Sequence, residues 1–591
     1  MSDPTDPMIA ARDEATRVVV ESDHPLRLIV SGPGTGKSFA FKQALRRKGA
    51  APGLALTFIK TLAAELAKDL GSDADTYTFH AYSKHLFHQL QPGGLTRAFS
   101  LYPPLFELMT EDLGLLGWVG WTAGMSDRAF DALKAQVDRT IMELDPSSSI
   151  PANVLALGTY YDAASFNDLV YRVFLHLEDN ADATPEYPLV VVDEYQDFSR
   201  LETAFIAQLG LKSPLLIAGD DDQALYKFRH ASPEHIRNLA DSTDVERHVL
   251  PYCSRCTEVV VAAVNATIDR AVRSGHLQER LTKPFECYMP DKRDDSRAYP
   301  ELIDARCSIH RYMGQYVESE IAKISQSDID ASVAGRHKTV LVIGPKQFMR
   351  PIYEHLKAGA HPQAELRASE PLPVVPIDGY RFVARDPASN LGWRILVHCD
   401  PFPGWQDVAK DSLTAKTPLA PALPVAWRDE RLAIAATLRR ALAGEAVDER
   451  DLERLASVAG MSRDSLMEYI HRGEPSEESE GARSAPVEEQ GAPAEGPDPP
   501  SILCTTLKGA KGLSAEHVFV VGLSNRHFPV NPGSVSDDEI CEFLVALSRT
   551  RKQCHLVSTR IFAGPPPLRP SLFLAWVAPN SRQITVDRNY W

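Results

Sequence analysis

A glycine-rich segment between an apolar run and a helical pattern carries the strongest chemical signal in the sequence. It reads Ser31-Gly32-Pro33-Gly34-Thr35-Gly36-Lys37-Ser38, and it separates a predicted buried strand at 26–30 from a predicted helix at 39–47. Glycines let backbone N–H groups converge on an anion, and the helix N-terminus adds partial positive charge. Lys37 is placed to reach the β- and γ-phosphates of a nucleotide, and the Ser38 hydroxyl to ligate Mg²⁺. The segment therefore predicts a phosphate-binding loop, with Ser31 where the pattern starts with glycine.

Two adjacent carboxylates follow another apolar run. Residues 189–192 predict a buried strand that leads into Asp193 and Glu194. In open α/β sheets, ligands bind outside the carboxyl ends of the strands, so these carboxylates are expected beside the nucleotide. Asp193 is expected to hold Mg²⁺, directly or through water, and Glu194 to orient and deprotonate the attacking water. The alternative is an acidic loop after a strand, and the upstream phosphate-binding loop makes it the lesser one.

A third polar cluster follows the predicted strand at 214–218. Gln223 ends the segment Gly219-Asp220-Asp221-Asp222-Gln223 and is placed to sense a γ-phosphate. Tyr226, Phe228 and Arg229 come shortly after it. Aromatic side chains interleaved with a cation suit single-stranded nucleic acid, because every base has a face on which to stack. Taken alone, this trio fits core packing better.

The composition is that of a soluble globular protein without an overall basic charge. The 591 residues, 44% hydrophobic and 24% charged, carry a net charge of −16. Any DNA-binding surface must therefore be local and depend on stacking as well as charge. The N-terminal residues 1–7 lack a signal-peptide core, and no apolar run approaches the length of a membrane span. We therefore expect a cytoplasmic protein with no membrane partner.

The eight cysteines are scattered, which favours reduced thiols. Cys253 and Cys256 form a C-x-x-C pair. No second cysteine or histidine pair follows at zinc-finger spacing, so ordinary thiols are favoured over a metal site.

Alternating strand and helix signals predict a parallel sheet with helices on both faces. A strand at 53–58 and an amphipathic helix at 60–70 continue this pattern. From about 81 to 182 the periodicity is helical throughout, which we interpret as an insertion. A helix is predicted from Ser254 to Asn265, and a second α/β region from about Ala271. Its strands are predicted at 338–344, 502–507 and 518–521.

Between Arg472 and Pro500 the sequence turns to Glu, Pro, Ser, Ala and Gly. Low hydrophobicity with high charge cannot bury enough apolar surface to fold, so this composition predicts a disordered linker or tether.

Taken together, these segments resemble the UvrD/Rep-like DNA helicases of superfamily 1A. The matching stretches are SGPGTGKS, ALTFIKTLAAEL, TFHAYSKHL, SFNDL, VVVDEYQDFS, IAGDDDQALYKFRHA, SRCTE, TLKGAKGLSAEHVFVVGL and VALSRTRK. They occur in the family's order and span nearly the whole chain. The phosphate-binding loop alone is shared by a whole superfamily, whereas the DEYQD, GDDDQALYKFR and TLKGAKGL stretches together are highly specific.

The resemblance implies an α/β fold with two RecA-like P-loop motor domains, in which parallel sheets are flanked by helices and ATP binds between the domains. Each motor domain would carry a mainly helical insertion. The implied boundaries are 1–85 and 183–270 for motor domain 1A, 86–182 for insertion 1B, 271–375 and 500–591 for motor domain 2A, and 376–499 for a shortened insertion 2B that includes the acidic linker 472–500.

The resemblance also implies individual roles. Arg255 and Arg549 would reach the γ-phosphate from opposite sides of the cleft and stabilise charge on the transferring phosphoryl group. The catalytic residues would be Lys37, Asp193, Glu194, Gln223, Arg255 and Arg549. ATP would be bound by Gly32, Gly34, Thr35, Gly36, Lys37, Ser38, Phe39, Gln223, Arg255, Gly512 and Arg549, and Mg²⁺ by Ser38 and Asp193. Single-stranded DNA would contact Phe58, His80, Tyr226, Phe228, Arg229, Thr506 and Lys508.

Several positions that face the base or ribose in the family differ here. The segment Arg12-Asp13-Glu14-Ala15 replaces Gln-x-x-Ala, Phe39 replaces an arginine, Ser254 replaces a tyrosine with Tyr252 nearby, and Ser514 replaces a glutamate with Glu516 displaced. The phosphate-facing groups are all present. Because a site that lacks donors and acceptors for a base edge discriminates weakly, we expect hydrolysis of other NTPs besides ATP.

The sequence is compatible with three functions. The first is an ATP-dependent 3′→5′ helicase of DNA repair or recombination that acts on single-stranded DNA or on duplexes with a 3′ tail; the Gly-Asp-Asp-Asp-Gln form of the third motif is that of the 3′→5′ branch. The second is a DNA-stimulated NTPase or translocase subunit that acts through a partner such as a nuclease, for example in antiphage defence, and the reduced second insertion and the tether favour it slightly. The third, a scaffold with a dead ATPase site, conflicts with the intact catalytic set.

No nuclease signature is visible in the sequence, and the last motor segment lies close to the end of the sequence, which leaves no room for an appended nuclease domain. Tyr590 and Trp591 end the sequence. They are expected either to dock on a partner or to pack on the protein's own surface.

Overall fold

The structure of the protein is a computed structural model that describes residues 6–49, 52–367, 372–472, 498–562, 564 and 566–591. These residues form two parallel β-sheets, flanked by helices, and two clusters of helices that interrupt the sheets in sequence. This confirms the predicted α/β fold class. Within the described ranges, no helix is both long and apolar enough to cross a membrane.

The first 250 residues contribute eight strands. They are Leu26–Val30 (β1), Gly53–Thr57 (β2), Ala74–Thr78 (β3), Ser100–Leu101 (β4), Ala163–Ala164 (β5), Val190–Val192 (β6), Leu215–Gly219 (β7) and Glu246–His248 (β8). Six of them form the first sheet in the order β3-β2-β6-β7-β1-β8. Leu28 and Val30 enter one hydrophobic cluster and Ile29 another, because successive side chains of a strand point to opposite faces. Both faces of this sheet are therefore covered.

The helices of the first part flank this sheet or lie between its strands. They are Pro7–Glu21 (α1), Lys37–Lys48 (α2), Lys60–Leu70 (α3), Phe79–Leu90 (α4), Leu105–Leu115 (α5), Asp127–Met142 (α6), Ile150–Tyr161 (α7), Phe166–Asp179 (α8), Arg200–Leu209 (α9), Glu234–Asp241 (α10) and Glu258–Arg273 (α11). Helices α5 to α8, the first helical cluster, lie between β3 and β6. The prediction of helix throughout this region is wrong at β4 and β5, which pair in parallel where the chain enters and leaves α5–α7.

Helix α11 begins later and ends later than predicted. Thr257 is its N-cap and Glu258 its first residue, because residues 254–256 form a bend. The helix then runs through Ala271, where a second α/β region was expected to begin. The second sheet starts only at Leu302.

The second part of the chain contributes nine strands. They are Tyr252–Cys253 (β9), Glu286–Cys287 (β10), Leu302–Cys307 (β11), Lys338–Ile343 (β12), Glu365–Arg367 (β13), Ile502–Thr505 (β14), Ala515–Val521 (β15), Thr550–Thr559 (β16) and Ser581–Val586 (β17). Strands β9 and β10 form a separate short parallel ladder. The others form the second sheet in the order β13-β14-β12-β15-β16-β11-β17.

Twelve further helices complete the described residues. They are Met289–Ala298 (α12), Arg311–Ile321 (α13), Gln326–Ala334 (α14), Lys346–Ala358 (α15), Pro376–Arg385 (α16), Asn390–Cys399 (α17), Trp405–Ala415 (α18), Val425–Leu442 (α19), Glu449–Val458 (α20), Arg463–Arg472 (α21), Asp537–Ser548 (α22) and Leu572–Trp576 (α23). Helices α16 to α21, the second helical cluster, have a hydrophobic core of their own around Trp393 and Leu438. Most of the predicted acidic tether, residues 473–497, lies outside the described residues.

A buried ion cluster joins the two helical clusters. Arg394 of α17 is fully buried, and its guanidinium donates to Asp112 at 2.9 Å and to Glu111 at 2.7 Å, both on α5. The Tyr161 hydroxyl donates to the second Asp112 oxygen at 2.6 Å. Nearby, the Tyr160 hydroxyl donates to the Thr417 carbonyl at 2.9 Å. The clusters are therefore held together by groups that would be costly to leave unpaired.

Replacing Arg394 with alanine tests this junction. Removing one partner of a buried ion pair leaves an uncompensated charge, so Arg394→Ala is expected to cost about 3–5 kcal/mol of the free energy of unfolding. Arg428→Ala removes a partly exposed ion pair with Asp429 and is the matched control, with an expected change of about 0.5 kcal/mol or less. Denaturant unfolding of both variants measures the difference, and equal destabilisation would contradict the role of Arg394.

Candidate nucleotide and DNA site

The phosphate-binding loop lies between β1 and α2. Gly34 and Gly36 adopt positive φ angles of 69° and 93°, and Gly36 is the N-cap of α2. The Thr35 hydroxyl donates to the Gly32 carbonyl at 2.9 Å. The Lys37 ammonium bends back over the loop and donates to the carbonyls of Ser31 and Gly32 at 3.2 and 3.0 Å. The loop therefore concentrates backbone N–H groups and one ammonium group at the start of a helix, as an anion requires.

The turn that carries Arg255 packs directly on this loop. A Cβ atom placed on Gly34 would lie 2.4 Å from the Arg255 Cβ, so only glycine fits there. The Ser254 amide and hydroxyl donate to the Gly34 carbonyl at 3.0 and 3.3 Å. Arg255 is thus held beside the phosphate-binding loop by backbone contacts.

The adjacent carboxylates follow β6, beside the phosphate-binding loop. Glu194 has a left-handed backbone with φ 58°, and its amide donates to the Asp193 carboxylate at 3.0 Å. Burial and the Glu194 charge raise the pKa of Asp193 to about 6. Burial alone would raise the pKa of Glu194 too, but the ammonium groups of Lys511 and Lys37 outweigh it and lower the pKa to about 2. Glu194 is therefore an ionised carboxylate, as a general base must be at neutral pH.

Lys511 reaches these carboxylates from the loop between β14 and β15, in the second sheet. Its side chain is fully buried, and its ammonium forms an ion pair with Asp197 and lies 3.3 Å from Glu194. It also donates to the Gln223 carbonyl at 2.7 Å. The two carboxylates raise the pKa of Lys511, against the effect of burial. Lys511 was not predicted as a site residue, although a lysine between Ala510 and Gly512-Leu513 is a usable signal.

Gln223 and Arg549 connect across the two sheets. Arg549 follows α22, and its guanidinium donates to the Gln223 side-chain oxygen at 2.8 Å. The Gln223 side-chain amide donates to Asp220 at 2.6 Å. Burial, assisted by the nearby Arg255 charge, lowers the pKa of Arg549 to about 10. The negative charge of nucleotide phosphate groups would stabilise a buried guanidinium that has few negative partners.

Three consecutive aspartates beside Gln223 are already neutralised by protein cations. Asp220, Asp221 and Asp222 lie close enough together to share a metal ion. The Lys283 ammonium lies 2.8, 2.8 and 2.7 Å from them, respectively, and Arg280 pairs with Asp222 at 2.6 Å. Lys283 thereby holds Asp220 in place beside Gln223. No local sequence signal identifies Lys283, because its role depends on contacts across 60 residues.

Ser38 and Asp193 suit a magnesium ion. Ser38 is the second residue of α2, which follows β1, and Asp193 follows β6, which is separated from β1 by β7. A hydroxyl and a carboxylate are therefore offered at the carboxyl ends of two strands of one sheet. Hard oxygen ligands of this kind are those Mg²⁺ prefers. The raised pKa of Asp193 indicates a carboxylate that a cation would relieve. Bound Mg²⁺ would neutralise charge on the phosphate oxygens.

The residues at the positions expected near the base either contact other side chains of the protein or are exposed. The Arg12 guanidinium lies 4.3 Å from the Tyr288 ring centroid and 3.6 Å from Asp291. Phe39 is 53% exposed. Ser514 contacts Arg551 at 3.4 Å, and the buried Glu516 pairs with His337 at 2.6 Å. Glu516 is therefore committed elsewhere and does not replace the glutamate that the family places after Gly-Leu.

Some of the residues predicted to contact DNA form one aromatic cluster. The Phe58 and Tyr226 rings are 5.0 Å apart, and the Arg229 guanidinium lies 4.7 Å from the Phe58 centroid. His80 lies apart from these rings, 3.4 Å from Asn167 and beside Phe166. Burial and the Arg229 charge lower the pKa of His80 to about 4, so its ring is neutral. The Phe228 side chain lies outside the described part of the structure.

The remaining predicted contacts come from the second sheet. The Tyr226 hydroxyl donates to the Lys508 carbonyl at 3.2 Å, and Thr506 accepts a hydrogen bond from the Gly509 amide at 3.2 Å. Gly512, with φ 82°, touches α3 of the first part, since a Cβ there would lie 2.3 Å from the Leu62 side chain. The loop 506–513 therefore contacts the first part at several points.

The two aromatic residues at the end of the sequence pack on the protein's own surface. The Tyr590 hydroxyl donates to Glu320 at 3.2 Å, and its ring lies 6.0 Å from that of Tyr316. Trp591 lies 6.2 Å from the Tyr312 ring, although 54% of it is exposed.

The structure combines a phosphate-binding loop with two parallel sheets whose residues meet at one candidate site. The first part supplies the phosphate-binding loop and the acidic pair, and the second supplies Lys511 and Arg549.

Comparisons with known proteins find similarity to helicases. Residues 130–244 match the family model of the UvrD/REP helicase N-terminal domain. The chain is 27% identical over 342 residues to ATP-dependent DNA helicase UvrD1 of Mycobacterium tuberculosis, covering 49% of this chain and 44% of that protein. It is 32% identical over 130 residues to DNA helicase II of Escherichia coli, covering 21% and 17%. ATP-dependent DNA helicase UvrD2 of Mycobacterium bovis is 23% identical over 98% of this chain and 84% of that protein. Over these stretches the chain is similar to UvrD-like helicases, and its match covers less than half the length of the UvrD1 relative.

Replacing Lys511 with methionine tests whether the shared site depends on it. The change leaves Asp197 and Glu194 without their buried counter-charge, so nucleotide hydrolysis is expected to fall on the order of a hundredfold or more. Lys323→Met removes an exposed ion pair with Glu320 and should leave hydrolysis unchanged. Phosphate release measures the rate, and circular dichroism verifies the fold. A Lys511→Met protein with normal activity would contradict the role assigned to Lys511.

Proposed function

We propose that the protein is an ATP-dependent 3′→5′ DNA helicase or translocase of DNA repair or recombination. The observation that carries this proposal is the continuous set of contacts from the phosphate-binding domain to Lys511 and Arg549 of the second sheet. The matched family and the names of the relatives support the reaction class. Its substrates would be ATP with Mg²⁺, and single-stranded DNA or duplexes with a 3′ tail.

The site supports hydrolysis by an activated water. Glu194 orients the water and removes its proton, and the Gln196 side chain, 2.6 Å from it, keeps this carboxylate in place. Lys37, Arg255 and Arg549 stabilise the negative charge that develops on the γ-phosphoryl group. Ser38 and Asp193 hold the metal ion.

The same contacts couple hydrolysis to movement. Gln223 contacts Arg549, and three residues later Tyr226 contacts the Lys508 carbonyl, so one short segment touches the second sheet at the nucleotide and at the DNA cluster. Loss of the γ-phosphate removes the negative charge that holds Arg549 and Arg255 together. The cleft then opens, and the grip of the two parts on a DNA strand changes with each cycle.

The first measurement is NTP hydrolysis with and without single-stranded DNA. Hydrolysis is expected to be strongly stimulated by DNA and abolished in Glu194→Gln, which keeps the shape of the side chain but cannot take a proton. Glu186→Gln, on the chain segment before β6, is the matched control and should retain activity. DNA binding without hydrolysis under every condition would favour a scaffold with a silent site.

Strand displacement separates the two active functions. A helicase unwinds a duplex with a 3′ tail and leaves a duplex with only a 5′ tail intact. Stimulated hydrolysis without displacement would instead support the alternative, an NTPase or translocase subunit whose output is the activity of a partner such as a nuclease in antiphage defence.

Nucleobase selectivity is the third measurement. Arg12 is engaged by Tyr288 and Asp291, and Ser514 and Glu516 are engaged by other side chains, so no strong base-edge readout is supported. The exposed Phe39 ring can stack on any base. We therefore expect kcat/KM values for ATP, GTP, CTP and UTP within about tenfold of one another. A preference for ATP of a hundredfold or more would contradict this expectation.

A further inference from the structure

Two cysteines enclose the arginine that packs on the phosphate-binding loop. The turn reads Cys253-Ser254-Arg255-Cys256 and connects β9 to α11. The Cys256 amide donates to the Cys253 sulfur at 3.4 Å, so the turn folds the two residues toward each other. All eight cysteines lie in the described ranges, and all are free thiols.

Each sulfur touches a different half of the nucleotide site. The Cys253 sulfur would lie 3.3 Å from a Cβ on Gly34, so it packs against the phosphate-binding loop. The Cys256 thiol donates to the Ser548 carbonyl at 3.6 Å, next to Arg549 in the second part of the chain. The pair therefore flanks Arg255, and one of its members contacts the residue before Arg549.

We propose that Cys253 and Cys256 form a reversible disulfide that switches off nucleotide hydrolysis by displacing Arg255. The turn holds the Cys256 amide 3.4 Å from the Cys253 sulfur, and a disulfide would bring the two sulfurs to about 2.05 Å from each other. The bond closes a ring that contains Arg255, so the guanidinium loses its freedom to follow the phosphate. The proposed inhibition rests on the proposed function, nucleotide hydrolysis, whereas formation of the disulfide does not depend on it.

The chemistry needs a peroxide or a low-molecular-weight disulfide as oxidant. With a peroxide, the Cys253 thiolate attacks one oxygen and breaks the O–O bond, giving a sulfenic acid and hydroxide. The Cys256 thiolate then attacks this sulfur and the sulfenic hydroxyl leaves; with the proton given up by the Cys256 thiol it departs as water. Two electrons pass from the thiols to the peroxide. Burial would raise the pKa of Cys253, but hydrogen bonds from the Cys256 thiol and amide, with the Arg255 charge, lower it to about 6, which favours the thiolate as first nucleophile.

Access to the pair depends on the state of the cleft. Both sulfurs are buried here, and Cys256 is covered by the second part of the chain through Ser548. Opening of the two parts breaks this contact and exposes Cys256. Oxidation should therefore be faster in nucleotide-free protein than in protein held closed by a non-hydrolysable nucleotide and Mg²⁺.

The sequence makes the bond easy to map. Trypsin cuts after Arg247, Arg255 and Arg270, so Cys253 and Cys256 fall in the separate peptides 248–255 and 256–270. After hydrogen peroxide treatment and alkylation of free thiols, the intact protein should yield these peptides as one disulfide-linked species that separates on reduction. A bond to Cys287, which pairs with Cys253 across β9 and β10, or the absence of a bond would overturn the proposal.

Activity provides the second readout. Oxidation should lower DNA-stimulated phosphate release by about tenfold or more, since displaced transition-state arginines cost large factors in rate. Dithiothreitol should restore it. Cys256→Ser and Cys253→Ser should each resist peroxide, whereas Cys399→Ser, which removes a partly exposed thiol, should remain sensitive.

The outcomes are separable. A mapped disulfide with unchanged hydrolysis overturns the link to Arg255, as does inhibition that persists in both serine variants. Reduced protein without any hydrolysis contradicts the proposed function, while peptide mapping still decides whether the redox site exists.

Discussion

The burial of one lysine from the second sheet among the carboxylates of the first is the interaction on which the site depends. Lys511 supplies positive charge to Asp197 and Glu194 in a region from which water is excluded. Neither partner is stable there without the other, because an isolated buried charge costs several kcal/mol. The Glu194 carboxylate, proposed as the general base, therefore has its buried counter-charge only when the two parts of the chain meet.

Several other contacts of the site also depend on the two parts of the chain meeting. Arg549 reaches Gln223, Cys256 reaches Ser548, and Tyr226 reaches the Lys508 carbonyl, all across the same boundary. The Arg394 cluster adds a separate junction between the helical clusters. Movement of the two sheets must break the first set of contacts, whereas the Arg394 cluster can persist only if the helical clusters move together.

The sequence predicts the parts of this structure that are local. The phosphate-binding loop and the helix at 60–70 follow from periodicity and glycine spacing, and both are found in the structure. The start of α11 was predicted wrongly because an arginine and two cysteines gave no sign of a bend before Thr257. Lys283 and Arg394 could not be found from the sequence, since each acquires its role from partners that are dozens or hundreds of residues away. Long-range burial of charge leaves no periodic signal.

The contrast between phosphate and base recognition has a physical origin. Phosphate binding uses backbone N–H groups and buried charges, which must be present together or the site loses its electrostatic balance. Base recognition would instead depend on side chains at the rim, at positions such as those of Phe39 and Arg12, which can change without leaving a buried group unpaired. Substitutions at the rim therefore cost little free energy, whereas substitutions at Lys37, Glu194 or Lys511 cost much more. Loss of base contacts with a retained phosphate site is therefore the less costly change, in agreement with the weak base selectivity proposed above.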